Sequence, residues 1–366
     1  MENKAKVLVL GCGKIGRLVV SLLAKSGDYQ VTAADLDLSA AQKAAKDNSG
    51  AQLPHASAIS LDLTDQSALQ NAMTGQNYVL SCAPFHCNVG IATVAKQCGT
   101  HYLDLTEDVA TTKTVRSLAQ QSQTAFIPQC GLAPGFISIV ANGLIQTFDS
   151  VEHIKMRVGA LPKYPHNALK YNLTWSTEGL INEYGNPCEA VVNGKMTLLQ
   201  PLEGLENFSV DGLEYEAFNT SGGLGTLAET FSGRAKSLDY KSVRYPGHRE
   251  IIALLMNDLK LNDNRETLKQ IFERALPTTQ QDVVLIMVTV QGMRKGVLSQ
   301  ESYAHKIYHR EISGEHWGAI QITTAAGICA VLDLHREQKL PTAGFIRQED
   351  VPLDIFLLNR FGKYYG

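Results

Sequence analysis

The chain has no apolar run long enough to cross a membrane, no run of basic residues and no cysteines at C-x-x-C spacing. A membrane-spanning helix needs about 20 apolar residues, and the longest stretches, 283–290 and 325–332, fall well short. With a formal net charge of −3 there is no electrostatic reason to expect nucleic acid as a partner. The seven cysteines (12, 82, 87, 98, 130, 188 and 329) are scattered and odd in number. That pattern predicts reduced thiols in a cytoplasmic protein, with neither a disulfide framework nor a zinc site, and no metal is expected. The first strand begins so close to Met1 that no room is left for a signal peptide. What remains is 44% apolar and 19% charged over 366 residues, the composition of an ordinary globular protein with room for two cores.

One stretch organises the rest. Val7, Leu8, Val9 and Leu10 run into Gly11, Gly13 and Gly16 at G-x-G-x-x-G spacing. Ile15, Leu18, Val19, Leu22 and Leu23 then form one face of a helix. The first two glycines allow a tight turn and a close backbone approach to a pyrophosphate, and the third lets helix pack on strand. The helix N-terminus, at Lys14 and Ile15, offers unpaired N–H groups and a positive dipole end to that anion. A second strand, 29–34, ends in Asp35, nineteen residues after Gly16, where a dinucleotide site needs an acceptor for ribose hydroxyls. Asp35 and Asp37 flank Leu36 with no arginine nearby, so a 2′-phosphate meets like charge and NAD is the expected cofactor. Asp35 as a helix cap is the alternative, a role Asp37 could also fill.

Up to about residue 130, strands and helices alternate. Strands are expected at 56–61, 77–81, 101–103 and 124–127, and helices at 39–48, 66–72, 88–97 and 110–121. Such alternation implies a Rossmann-type, doubly wound parallel sheet in an α/β protein. Ligands bind beyond the carboxyl ends of such strands. The segments at those ends hold Asp62, then Ser81, Ala83 and Pro84, then Glu107, then Leu132 and Pro134 in Gly131–Gly135.

From about Val151 the pattern changes to an inserted α+β domain dominated by a mixed or antiparallel sheet. Asn193-Gly194 and Asp211-Gly212 lie between β-runs and predict hairpin turns. Residues 281–291 read as a buried central strand with 296–308 as its antiparallel partner. Leu268, Ile271, Phe272 and Ala275 mark one helix face. A long helix is expected over 315–337, then a tail from Gly344 with one short helix. The expected domains are 1–133 for dinucleotide, 134–314 for substrate and 315–366 returning to the first. The hairpin-rich domain could also carry a homodimer sheet.

A second polar block stands far along the chain. Gly222, Gly223 and Gly225 strip side chains from a loop beginning Asn219-Thr220-Ser221. Arg244 ends a strand with a planar fork suited to a carboxylate. Pro246 opens a helix and places His248 near its positive end, favouring a neutral imidazole able to accept a proton. A surface salt-bridged arginine with a capping histidine would show the same residue types. Tyr171 and Trp175 are expected on a strand entering a helix capped by Ser176, where core aromatics would read alike. His86, after Pro84-Phe85, falls near the usual place of a nicotinamide ring or caps a helix.

Taken together, the glycine motif, Gly131-Leu132-Ala133-Pro134-Gly135, Tyr171-Asn172 with Glu178-Gly179-Leu180, Thr220-Ser221-Gly222-Gly223 and Arg244-Tyr245-Pro246-Gly247-His248 resemble the saccharopine dehydrogenase family. The likeness runs nearly the whole length. It is closest to the bacterial branch of glutamate-forming saccharopine dehydrogenases and lysine 6-dehydrogenases. Fungal members have Asp where this chain has Ala133. The resemblance implies oxidation of a C–N bond by NAD, with saccharopine yielding glutamate and 2-aminoadipate 6-semialdehyde. Lysine oxidised with loss of ammonia is the alternative, and a non-catalytic NAD-binding sensor is the reading from another class. It also suggests Arg244 as a carboxylate clamp, with Tyr171, Asn219 and Ser221 as hydrogen-bonding partners, and His248 or Glu107 for proton transfer.

Overall fold

A computed structural model describes residues 4–366. The elements run β1 (Ala5–Leu10), α1 (Lys14–Ser26), β2 (Tyr29–Asp35), α2 (Leu38–Ala44), β3 (Ala56–Ser60), α3 (Gln66–Met73), β4 (Tyr78–Ser81), α4 (Asn88–Cys98), β5 (His101–Asp104), α5 (Val109–Leu118), β6 (Ala125–Ile127) and α6 (Phe136–Ile145). Then come β7 (Ser150–Pro162), α7 (Thr177–Gly185), β8 (Cys188–Val192), β9 (Lys195–Leu199), β10 (Glu206–Val210), β11 (Leu213–Asn219), α8 (Leu227–Phe231), β12 (Ser237–Arg244), α9 (His248–Ala253) and α10 (Arg265–Ala275). The chain ends with β13 (Asp282–Arg294), β14 (Val297–Tyr308), β15 (Arg310–Ile312), β16 (Glu315–Trp317), α11 (Ala319–Arg336), β17 (Gly344–Phe345) and α12 (Leu353–Leu358). Two compact units result, one of residues 4–136 with 321–366 and one of residues 137–320.

The first unit holds a seven-stranded parallel sheet in the order β17-β6-β5-β4-β1-β2-β3, the Rossmann-like arrangement. Val7 to Leu10 are wholly buried, as a strand covered on both faces requires. The turn into α1 is packed to its limit. Gly11 has φ +86°, and a Cβ placed on Gly16 would lie 1.8 Å from the Gly11 carbonyl oxygen. The tail supplies a strand, since β17 extends the sheet beside β6; at two residues it is too short to show alternation. Helix α2 stops at Ala44, short of the expected 48. Asp47 accepts from Ser49 N at 2.9 Å and Ala51 N at 3.0 Å and turns the chain there.

The second unit holds an eight-stranded mixed sheet, β10-β11-β12-β7-β13-β14, with β8 and β9 joining through β12. Only β12 and β7 are parallel. Asn193-Gly194 and Asp211-Gly212 both have positive φ at each residue, and so do Lys295-Gly296 and Ser313-Gly314, at turns not marked by Asn or Asp. The last of these joins β15 to β16, so residues 315–317 are strand and the long helix starts at Ala319. The buried Asp282 carboxylate fixes that start by accepting from Ala319 N and, at 3.0 Å, Ile320 N. On α10 Leu268 and Phe272 are buried, whereas Ile271 lies on the outer side, 42% exposed.

Gly16 and His101 each make a contribution to stability that can be measured. Gly16→Ala should cost about 3 kcal/mol because a backbone carbonyl cannot move aside. Gly13→Ala, whose Cβ meets nothing within 4 Å, should melt close to the parent; equal melting losses would contradict this packing. The second concerns acid. Burial and the neighbouring His335 hold His101 down to about 4, and its Nδ1 accepts from Ala125 N at 2.9 Å. Since 4 lies below the ordinary 6.5, the unfolded chain takes the proton first as pH falls. The stability His101 confers is whole above about 6.5 and is lost towards pH 4, about 1–2 kcal/mol after allowance for its partial exposure. Asp282, raised by burial to about 6, works oppositely, gaining stability as pH falls through that value. His101→Asn, which keeps an acceptor for Ala125 N, should therefore lessen the stability lost between pH 6.5 and 4.5 in denaturant titrations. An unchanged loss would refute the assignment.

Candidate functional site

The carboxyl ends of the parallel strands form the edge of the first unit at which the sequence places a dinucleotide. Asp37, Asp65 and Asp108 cap α2, α3 and α5 with their own carboxylates, but α1 has Gly13 at its N-cap and no side-chain cap. Its leading N–H groups are left for an anion, and the space where Gly13 lacks a Cβ is open. Asp35 does not cap a helix. Its two oxygens accept from Cys12 N at 2.7 Å and Asp37 N at 3.1 Å, tying the end of β2 to the glycine turn. Leu36, 71% exposed, stands next to it. Cys12 is pushed up to about 12, first by burial and then by Asp35, and is an inert filler of the loop.

The other predicted cofactor residues occupy the same edge in different ways. Lys14 is exposed and Ile15 half-buried at the start of α1. Ser81 Oγ is spent on Asn88 Oδ1 at 2.6 Å. Asp62, held low by Thr64 Oγ1 and N, closes an exposed turn. Ala83 is half-buried and Pro84 exposed, while Leu132 and Pro134 are buried, with a cis bond before Pro134. Glu107 is half-buried in the loop after β5. His86 is exposed in a short 3-10 turn after Pro84.

In the second unit the polar block folds inward. Arg244, only 3% exposed, is a buried guanidinium that makes no ion pair with a carboxylate among the described residues. Its Nε donates to Tyr184 Oη at 2.7 Å and its Nη1 to Val243 O at 2.8 Å. Its cationic carbon lies 5.2 Å from the Tyr171 ring centroid and 5.6 Å from that of Tyr184. Despite burial, the neighbouring tyrosines and Glu183 keep it charged. Tyr171 Oη and Thr174 Oγ1 are buried without a hydrogen-bond partner; Thr174 and Trp175 approach the phenol but fall short of bonding geometry.

His248 departs from its expected setting. It is 1% exposed, with Nδ1 2.9 Å from Leu169 O and Nε2 3.0 Å from Tyr184 Oη. Burial first, and the Arg244 charge second, lower it to about 3. The imidazole is neutral, but because of burial and not because of a helix end. The N-terminus of α9 is capped by Glu216, which accepts from Gly247 N at 2.9 Å and Arg249 N at 2.6 Å. Pro246 precedes that helix and is not part of it.

Asn219 and Ser221 are likewise committed to the fold. Asn219 Nδ2 donates to Gln200 O at 3.2 Å and Ser221 Oγ to Asn182 O at 3.1 Å. Residues 169–175 form an irregular segment with one bridge, Leu173 to Thr278, in place of the expected strand, while Ser176 caps α7 through Gly179 N. Tyr171 thus joins Arg244 and His248 in the second unit, and Glu107 belongs to the first. Sequence reasoning missed Tyr184 and Thr174, whose only signal was a buried helix position and a place beside Trp175. It also passed over His305 and His309 at H-x-x-x-H spacing; among the described residues no three potential ligands converge on a metal position.

Residues 7–127 match the saccharopine dehydrogenase NADP binding domain and residues 131–364 the saccharopine dehydrogenase C-terminal domain. The chain is 30% identical over 204 residues to saccharopine dehydrogenase (NADP(+), L-glutamate-forming) of Saccharomyces cerevisiae, covering 52% of this chain and 43% of that one. It is 22% identical over 328 residues to the like-named protein of Pyricularia oryzae, covering 85% and 70%. The chain spans less than two thirds of the first curated relatives: 43% of the yeast protein and 21% of the mitochondrial alpha-aminoadipic semialdehyde synthase of Mus musculus. The solved apo saccharopine dehydrogenase (L-Glu forming) of Saccharomyces cerevisiae superposes with a TM-score of 0.78 at 17% identity, covering 96% of this chain and 95% of that one, a likeness of fold. Because the two adjoining family matches take in nearly the entire sequence, the chain belongs to the saccharopine dehydrogenase family.

Proposed function

We propose that the chain is an NAD-dependent oxidoreductase that cleaves saccharopine to L-glutamate and 2-aminoadipate 6-semialdehyde. The observation carrying the substrate half is the buried Arg244 fork beside two unpartnered hydroxyls, Tyr171 Oη and Thr174 Oγ1. A buried cation and orphan donors are costly, and a substrate carboxylate satisfies all three. The cofactor, when bound, would supply the hydride acceptor for the lysine-derived ε-carbon next to the bridging nitrogen. The resulting imine takes up water, and the carbinolamine collapses with loss of glutamate. Arg244 and Tyr171 hold the carboxylate, so that much of the rate comes from positioning. His248, lowered to about 3 with both nitrogens engaged, is a poor base at neutral pH. Glu107, at the ligand edge of the parallel sheet, is the proposed group for proton transfer.

The relatives' names specify NADP(+). The case for NAD here rests on Asp35. A 2′-phosphate about 4 Å from its carboxylate would cost about 1–4 kcal/mol, about fivefold to a thousandfold in affinity.

The substrate is tested by incubating the protein with NAD and either saccharopine or lysine while following NADH, glutamate and ammonia. Glutamate from saccharopine without ammonia is expected; ammonia from lysine would replace this reading by lysine oxidation, and no NADH from either would refute both. Arg244→Ala should raise the KM for the amino acid about 100-fold, the loss of a charge-assisted pair, while leaving the dinucleotide KM within about threefold. Equal effects on the two would reject the carboxylate role. Asp35→Ser should narrow the ratio of NAD to NADP in kcat/KM, and an unaltered ratio would reduce Asp35 to a tie for the glycine turn.

A further inference from the structure

We propose that Tyr184 and His248 form a positioning relay that fixes the guanidinium plane of Arg244 and decides which of its edges receives the substrate carboxylate. The inference rests on the assignment of Arg244 as carboxylate clamp. The three side chains are 3% exposed or less, so each polar atom must find its partner inside the protein.

Hydrogen-bond direction follows from a fixed end. Leu169 O can only accept, so His248 carries its proton on Nδ1 and donates it across 2.9 Å. His248 Nε2 is then an acceptor, and Tyr184 donates its hydroxyl proton to it across 3.0 Å. The Tyr184 oxygen is left with lone pairs only, and it accepts Arg244 Nε–H across 2.7 Å. The chain of donors therefore runs from Arg244 through Tyr184 to His248 and ends on backbone. A protonated His248 would donate at both nitrogens and break it, and burial beside Arg244 opposes that state.

This arrangement has a consequence for recognition. A guanidinium grips a carboxylate either side-on, through Nε and one Nη, or end-on, through both Nη groups. Tyr184 occupies Nε, which closes the side-on edge. Nη1 spends one proton on Val243 O and keeps another, and among the described residues no hydrogen bond engages Nη2. The end-on edge is thereby left for the carboxylate, with the Tyr171 ring centroid 5.2 Å from the guanidinium carbon. Without the relay the fork could rotate, and its planar, two-point match to a carboxylate would be lost.

Asparagine and glutamine at position 248 separate this role from packing. Glutamine can present an acceptor near the place of Nε2, where Tyr184 needs one. Asparagine can reproduce the Nδ1 donor to Leu169 O but is too short to meet Tyr184. The affinity for L-glutamate, used as the carboxylate probe, is measured by calorimetry for the parent, Arg244→Ala, Tyr184→Phe, His248→Gln and His248→Asn, with dinucleotide affinity and melting temperature recorded alongside. Arg244→Ala should weaken glutamate about 100-fold. Tyr184→Phe and His248→Asn should each weaken it about tenfold, and His248→Gln by less than threefold, with dinucleotide affinity within twofold throughout. Equal glutamate affinities for His248→Gln and His248→Asn, or an unaffected Tyr184→Phe, would overturn the relay while leaving Arg244 as the clamp. Unchanged glutamate affinity in Arg244→Ala would overturn the clamp and the relay with it.

Discussion

A guanidinium buried without a carboxylate partner is the constraint around which the second unit is arranged. Taking a cation out of water costs several kcal/mol unless its protons and charge are met locally. Here the compensation comes from a phenol oxygen, a backbone carbonyl and two aromatic faces. None of these carries a full negative charge, and Glu183 acts on Arg244 only at longer range, without an ion pair, so attraction for an anion persists. Replacing Tyr184 by an acid would satisfy the same proton but quench the charge that a substrate must find. The contrast with Arg157 on the same sheet is informative. Arg157 is equally buried but paired with Asp239 at 2.9 Å and with Glu206, a saturated structural ion pair.

Helix N-termini in this chain show the same economy. Glu216 and Asp282 reach from distant strands to cap α9 and α11, and aspartates adjoining α2, α3 and α5 cap those helices. The start of α1 receives no such side chain, and its glycine opens the space in front of it. Anion affinity is thus left where the carboxyl edge of the parallel sheet can use it, and is absorbed internally at α9, beside the buried arginine.

Much of the first unit was legible because its signals are local. Period-3.6 and strand-like apolar runs, spaced glycines and Asp35 at a strand end all act within one βαβ segment, and up to β6 the structure differs mainly at element ends. Helix α2 stops early because Asp47 makes its own turn, and β17 escaped notice because two residues cannot show a period. In the second unit Asn-Gly and Asp-Gly marked two hairpins, while Lys295-Gly296 and Ser313-Gly314 make the same positive-φ turn with only the glycine to signal it. The expected helix over 315–337 lost its first turn to β16, because apolar spacing does not reveal the cap that Asp282 supplies from another strand.

The residue types of both sites, and the family to which they belong, were determined by the sequence itself. A glycine can only be read as a place where a side chain is forbidden, and an arginine as a fork that keeps its charge. Tertiary structure alone decided that Asn219 and Ser221 face inward to hold backbone, that His248 is neutral through burial, and that Tyr184 stands between His248 and Arg244. Those outcomes depend on hydrogen bonds between residues 19 to 79 positions apart. Such pairings arise only when the sheet and α7 close around the same charge, and no spacing along the chain records them.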